Sequence, residues 1–78
     1  MARILVIEDE ADIQQVLDYN LREKGHKVYI AGNGEEGLKI AREKRPDLVL
    51  LDLMLPGMPG TEVCKTLKSD PQTSRILI

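Results

Sequence analysis

Leu48-Val49-Leu50-Leu51-Asp52-Leu53-Met54-Leu55-Pro56-Gly57-Met58-Pro59-Gly60 is the stretch that decides the fold. Four branched apolar residues in succession, with no polar alternation, suit a strand covered on both faces, as in a parallel sheet flanked by helices. Pro56, Gly57, Pro59 and Gly60 then stop the strand abruptly. Asp52 therefore belongs at a strand's carboxyl end, where open α/β sheets bind their ligands.

On the amino side of this stretch the hydrophobic period alternates between strand and helix. Arg3 to Ile7 is a short apolar run that breaks into Glu8-Asp9-Glu10, which predicts a buried first strand ending in an acidic loop. From Ala11, the residues Ile13, Val16, Leu17 and Leu21 form one stripe of an amphipathic helix, which Gly25 ends as a left-handed cap. Lys27 to Ala31 predicts a second strand. Asn33 and Glu36 resemble a capping box for a second helix, with Leu38 and Ala41 inward and Arg42, Lys44 and Arg45 at its negative end. Pro46 closes that helix, and Asp47 leads into the third strand.

On the carboxyl side, Thr61 to Leu67 predicts a third helix with Val63, Cys64 and Leu67 inward. Asp70-Pro71 marks a loop, and Arg75 to Ile78 reads as the opening of a fourth buried strand. The order βαβαβαβ belongs to a parallel sheet with helices on both faces. If strand two lies on one side of strand one and strand three on the other, right-handed crossovers place the first and second helices on opposite faces. The loops after Ile7 and Leu51 then diverge at the switch point between strands one and three, and Glu8, Asp9 and Asp52 meet in the crevice.

Size and composition bound the rest. Seventy-eight residues make one domain at most, and such a chain buries about 60–65 % of its unfolded surface, which leaves stability marginal. Apolar residues at 42 % and charged ones at 31 % fit a globular domain rather than a disordered chain. The single cysteine excludes an internal disulfide, and its inward position makes Cys64 a core residue. No signal-like start and no long apolar run is present, so a cytoplasmic protein with no membrane contact is expected. A net charge of −2, with 11 basic residues spread along the chain, gives no footprint for nucleic acid. His26, after a helix-ending glycine, reads as a solvated loop residue.

Three carboxylates in one crevice repel one another and favour either protonation or capture of a cation. Mg2+ suits a sparse oxygen set, because it keeps several waters and takes one or two carboxylates together with phosphate oxygens. An aspartate in such a site can be the nucleophile of phosphoryl transfer. A nucleotide-binding α/β domain would need a glycine-rich loop after the first strand, where this chain has Glu8-Asp9-Glu10. An aspartate-dependent phosphohydrolase would show Asp-x-Asp there, and that spacing is absent.

Glu8-Asp9-Glu10 and Leu50 to Gly57 together resemble the response regulator receiver domain of two-component signalling, and the resemblance covers the whole chain. It implies an α/β, flavodoxin-like, doubly wound parallel sheet of strand order 2-1-3-4, with residues 1–78 as the N-terminal part of the domain. By position, Asp52 is implied as phosphoacceptor, Asp9 as a direct Mg2+ ligand, Glu8 as an acidic partner acting mostly through water, and Met54 as a ligand through its backbone carbonyl. The phosphoryl donor would be a histidine of a sensor kinase in the full-length parent. Gln14, Gln15 and Asp18 are the candidates for kinase specificity. The chain would assist its own phosphorylation without being an enzyme otherwise. Leu55-Pro56-Gly57 also resembles regulators that carry a winged-helix DNA-binding domain.

The family pattern continues with a threonine or serine after strand four and a lysine after strand five, positions that this sequence does not contain. Residues 1–78 alone are therefore expected to signal poorly. Ile76-Leu77-Ile78 would leave an open apolar edge on strand four, which predicts a homo-oligomer formed through that edge. The alternative is a structural half-domain that self-associates without chemistry.

Overall fold

The computed structural model describes Met1–Ile78. Its elements are β1 (Arg3–Ile7), α1 (Ala11–Glu23), β2 (Lys27–Ala31), α2 (Gly34–Lys44), β3 (Leu48–Leu51) and α3 (Gly60–Ser69). The three strands are all parallel in the order β2-β1-β3. Arg3 to Ile7 pair in register with Lys27 to Ala31 on one side, and Ile4 to Ile7 with Leu48 to Leu51 on the other. The α/β doubly wound class and the central place of the first strand agree with the sequence pattern.

The opening of the fourth strand stands where the order 2-1-3-4 places it: the Val49 N–H donates to the Leu77 carbonyl at 2.8 Å and the Leu77 N–H to the Asp47 carbonyl at 3.3 Å, beside β3. The contact is a single parallel bridge, Leu48 to Leu77. Residues 70–75 are held as a turn. Thr73, almost fully buried, donates its hydroxyl to the Leu67 carbonyl at 2.7 Å. Lys68 Nζ donates to the Ile76 carbonyl at 2.9 Å.

Strand alternation splits the core. Leu5 and Ile7 face α2 and α3, where they join Leu38, Ala41, Val49, Val63, Leu67 and Ile76. Ile4, Val6 and Val28 face α1, against the half-buried Leu17, Leu21, Leu48 and Leu50. Two helices cover the first face and only one covers the second. For that reason the α1 stripe expected from periodicity is incompletely buried: no residue of α1 is fully buried, and Ile13 and Val16 are exposed.

Local signals set the ends of the helices. Asn33 Oδ1 accepts the Glu36 N–H at 2.9 Å, so the N-cap forms, although no return bond from the Glu36 side chain does. Gly25, at φ +86°, ends α1 as its sequence position predicts, with the His26 N–H donating to the Leu21 carbonyl at 3.1 Å. His26 itself is a correction. It is half-buried, and its Nδ1 accepts the Ala2 N–H at 3.0 Å, which pins the start of β1 to the α1–β2 turn. Cys64 is half-buried rather than in the core, since Val63 and Leu67 take the inward positions of α3.

Candidate functional site

The parallel ladder runs one residue past the strands and sets the site. The Glu8 N–H donates to the Ala31 carbonyl at 3.0 Å, and the Asp52 N–H donates to the Ile7 carbonyl at 3.1 Å. Both acids are thereby held on the carboxyl edge of the sheet, side by side on neighbouring strands, and Asp9 follows Glu8 into the loop. One carboxylate oxygen from each of Glu8, Asp9 and Asp52 lies within 4.8 Å of the others. The crevice expected at the switch point is present. A cavity of about 320 Å3 opens there, lined by Val6, Ile7, Leu17, Leu50 and Leu51 together with Glu8 and Asp52.

The three acids differ in environment. Glu8 is 7 % exposed, Asp52 is half-buried and Asp9 is open to solvent. The Glu10 N–H, bonded to Glu8 Oε2 at 3.0 Å, pulls the Glu8 pKa down. Burial, with Asp9 and the negative charge of Asp52, outweighs that bond and leaves the Glu8 pKa raised. The ion pairs of the chain, Arg22–Asp18 and Arg42–Asp70, lie elsewhere, so no arginine or lysine neutralises this cluster.

An all-oxygen, uncompensated set fits a hard divalent cation. Glu8, Asp9 and Asp52, each with a carboxylate oxygen within 4.8 Å of the others, are the residues that would hold such an ion, which takes oxygen ligands and keeps several of its waters. Met54 lies in the loop beyond Asp52. Its N–H donates to Asp52 Oδ1 at 2.9 Å and its side chain is 86 % exposed, so it supplies the site with main chain only.

A scan of protein families matches residues 4–78 to the response regulator receiver domain. This chain belongs to that family. Receiver domains of two-component response regulators are thus its kin. It is 46 % identical over 78 residues to the transcriptional regulatory protein AfsQ1 of Streptomyces coelicolor, covering all of this chain and 35 % of that protein. It is also 46 % identical to the alkaline phosphatase synthesis transcriptional regulatory protein PhoP of Bacillus subtilis, covering 97 % of this chain and 32 % of that one. The receiver chain therefore spans about a third of the length of these relatives. Among solved structures, the N-terminal domain of a response regulator receiver protein from Methanoculleus marisnigri superposes with a TM-score of 0.94 at 38 % identity, over 97 % of this chain and 62 % of that one. TrrA of Thermotoga maritima, solved in complex with Mg2+-BeF, gives 0.86 at 40 % identity, over 92 % and 63 %.

Two residues of this receiver site carry no motif signal in the sequence. The Gln14 side-chain amide donates to the Glu8 carbonyl, tying α1 to the acidic loop, so a residue expected to serve kinase choice also positions the site. Gly60, at the start of α3, lies directly against the main chain of Asp52. Of the other candidates for kinase choice, Gln15 is exposed, and Asp18 is engaged by Arg22 at 2.6 Å. No helix is long and apolar enough to cross a membrane.

Proposed function

We propose that this chain is a phosphoacceptor receiver of a two-component response regulator, with Asp52 as the nucleophile. The observation that carries the proposal is the convergence of Glu8, Asp9 and Asp52 without any basic partner. One Asp52 carboxylate oxygen attacks phosphorus as the bond to the donor breaks, and the donor, a histidine of a sensor kinase, leaves with the electron pair and takes up a proton. The Met54 N–H on Oδ1 holds the carboxylate in place, so Oδ2 is the oxygen free to attack. Glu8, Asp9, Asp52 and the Met54 carbonyl are the proposed Mg2+ ligands, with Glu8 reaching the ion largely through water. When bound, Mg2+ offsets the charge on the transferring phosphoryl oxygens.

The chain assists its own phosphorylation and catalyses nothing else on this reading. It works in the cytoplasm, within a longer transcription regulator like those it resembles, and makes no nucleic-acid contact of its own. No ammonium or guanidinium of residues 1–78 pairs with the carboxylates, so a bound cation is what offsets charge beside Asp52. Copies associate through the edge at Leu77 and Ile78, both exposed beside the single bridge to β3. A purely structural half-domain remains the competing reading. Incubation with Mg2+ and a small acyl phosphate, followed by intact mass, separates the two: a metal-dependent gain of one phosphoryl group supports the receiver reading, and an unchanged mass in the full-length regulator rejects it.

A further inference from the structure

At the opposite end of the sheet from the carboxylates, two cations from neighbouring strands flank one tyrosine, and the end of a helix that carries a third basic residue is hydrogen-bonded to one of them. Arg3 and Lys27 are register partners at the amino ends of β1 and β2, and Tyr29 stands one pleat further along on the same face. The Arg3 guanidinium lies 6.0 Å from the Tyr29 ring centroid and the Lys27 ammonium 5.9 Å. Lys44, the last residue of α2, is drawn in because its carbonyl accepts a hydrogen bond from Arg3 Nη2. The Tyr29 hydroxyl is held below its ordinary pKa, first by the adjoining Arg3 guanidinium, against some burial, and then by the charges of Lys27 and Lys44.

None of these cations has a carboxylate partner, since both ion pairs of the chain are elsewhere. Asp47 spends its Oδ2 on the Arg3 main-chain N–H at 2.8 Å. A lysine on an open edge strand such as β2 is a common guard against strand pairing. That role needs neither Arg3 from the central strand nor Lys44 from a helix. What Arg3 and Lys27 share is a position over one tyrosine ring, with Lys44 carried on the helix end that Arg3 holds.

We propose that Arg3, Lys27, Lys44 and the Tyr29 hydroxyl form a subsite for a polyphosphate anion, either free or as the phosphate chain of a nucleotide. A planar guanidinium and two ammoniums match several phosphate oxygens at once, with charge-assisted hydrogen bonds to each. The acidic cluster lies roughly 15 Å away, a strand of five residues at about 3.3 Å each, and repels polyanions from the other pole of the molecule. The subsite is independent of chemistry at Asp52.

The test uses residues 1–78 in metal-free buffer of fixed ionic strength, titrated with tripolyphosphate while the ring protons of both tyrosines are followed by NMR. Tyr19, exposed on α1, is the internal control. The expected result is saturable movement of the Tyr29 signals with Tyr19 still, and a dissociation constant raised at least tenfold in Lys27→Gln/Lys44→Gln, two exposed positions whose replacement leaves the melting temperature near that of the parent. ATP binding with the affinity of tripolyphosphate assigns recognition to the phosphate chain alone, and tighter ATP binding adds the base. Equal movement of both tyrosines, a response that never saturates, or an unaltered constant in the double variant overturns the proposal.

Discussion

Gly60 lies against Asp52 so closely that a Cβ at position 60 would stand 2.5 Å from the Asp52 carbonyl oxygen and 2.5 Å from the Leu53 Cα. The neighbouring atoms are backbone and cannot swing away. The start of α3 is therefore in direct register with the residue on which the proposed chemistry depends.

Gly60→Ala should push the Asp52 main chain off the β1 ladder. A loss of about 1–3 kcal/mol in urea unfolding is expected from the overpacking, together with weaker Mg2+ binding. Gly57→Ala is the control. Gly57 has φ +74° with nothing within 4 Å, so alanine there should cost about 1 kcal/mol of backbone strain and leave Mg2+ affinity alone.

Asp52→Asn removes one of three crowded charges and supplies an amide beside the buried Glu8. In metal-free buffer the variant should be more stable by about 1 kcal/mol, which for a chain of this size raises the melting point by roughly 4–8 °C. Mg2+ should raise the melting point of the parent and do little for the variant, so thermal melts with and without the ion should cross.

Asp70 gives a pH signature away from the site. It accepts the Gln72 N–H at 2.9 Å and the Arg42 Nε–H at 3.2 Å. The Gln72 bond first, opposed by partial burial and aided by Arg42, holds its carboxyl below the ordinary value of 3.8. The unfolded chain binds that proton more readily than the folded one. Stability from Asp70 is therefore complete above about pH 4 and lost as pH falls through the depressed value. Asp70→Asn should be the less stable protein at neutral pH, and the two unfolding free energies should converge in acid.

Leu77→Lys places a charge on the open edge beside β3, where Leu77 is 68 % exposed. If copies associate there, sedimentation velocity at high concentration should show an oligomer for the parent and a monomer for the variant. A monomeric parent would remove the self-association proposal without touching the reading of Asp52.

Most of the architecture was legible because it rests on local pattern. Leu48 to Leu51 read as a buried strand from unbroken apolar residues, and Asn33 and Gly25 marked helix ends by their own backbone chemistry. Glu8, Asp9 and Asp52 could be placed together because parallel topology leaves few options for strands ending in acids. What the sequence hid depends on contacts across the fold. The exposure of Ile13 and Val16 follows from a single helix covering that face of the sheet, which periodicity in α1 cannot reveal. The anchoring of the turn before Ile76 by Thr73 and Lys68 likewise depends on partners that only the folded chain brings together. Gly60 looked like one more turn glycine, and Gln14 was read only as a candidate for kinase specificity; their contacts with Asp52 and Glu8 arise across the fold.

The central claim, that Asp52 is the phosphoacceptor of a Mg2+-dependent site, is tested most directly by trapping the acyl phosphate. The full-length regulator containing this segment is treated with Mg2+ and acetyl phosphate, reduced with borohydride, and mapped by peptide mass spectrometry. Conversion of residue 52 to homoserine, absent with a chelator and absent in Asp52→Asn, is the result the account predicts. Conversion at another carboxylate, or none in a folded protein with Mg2+ present, would contradict it.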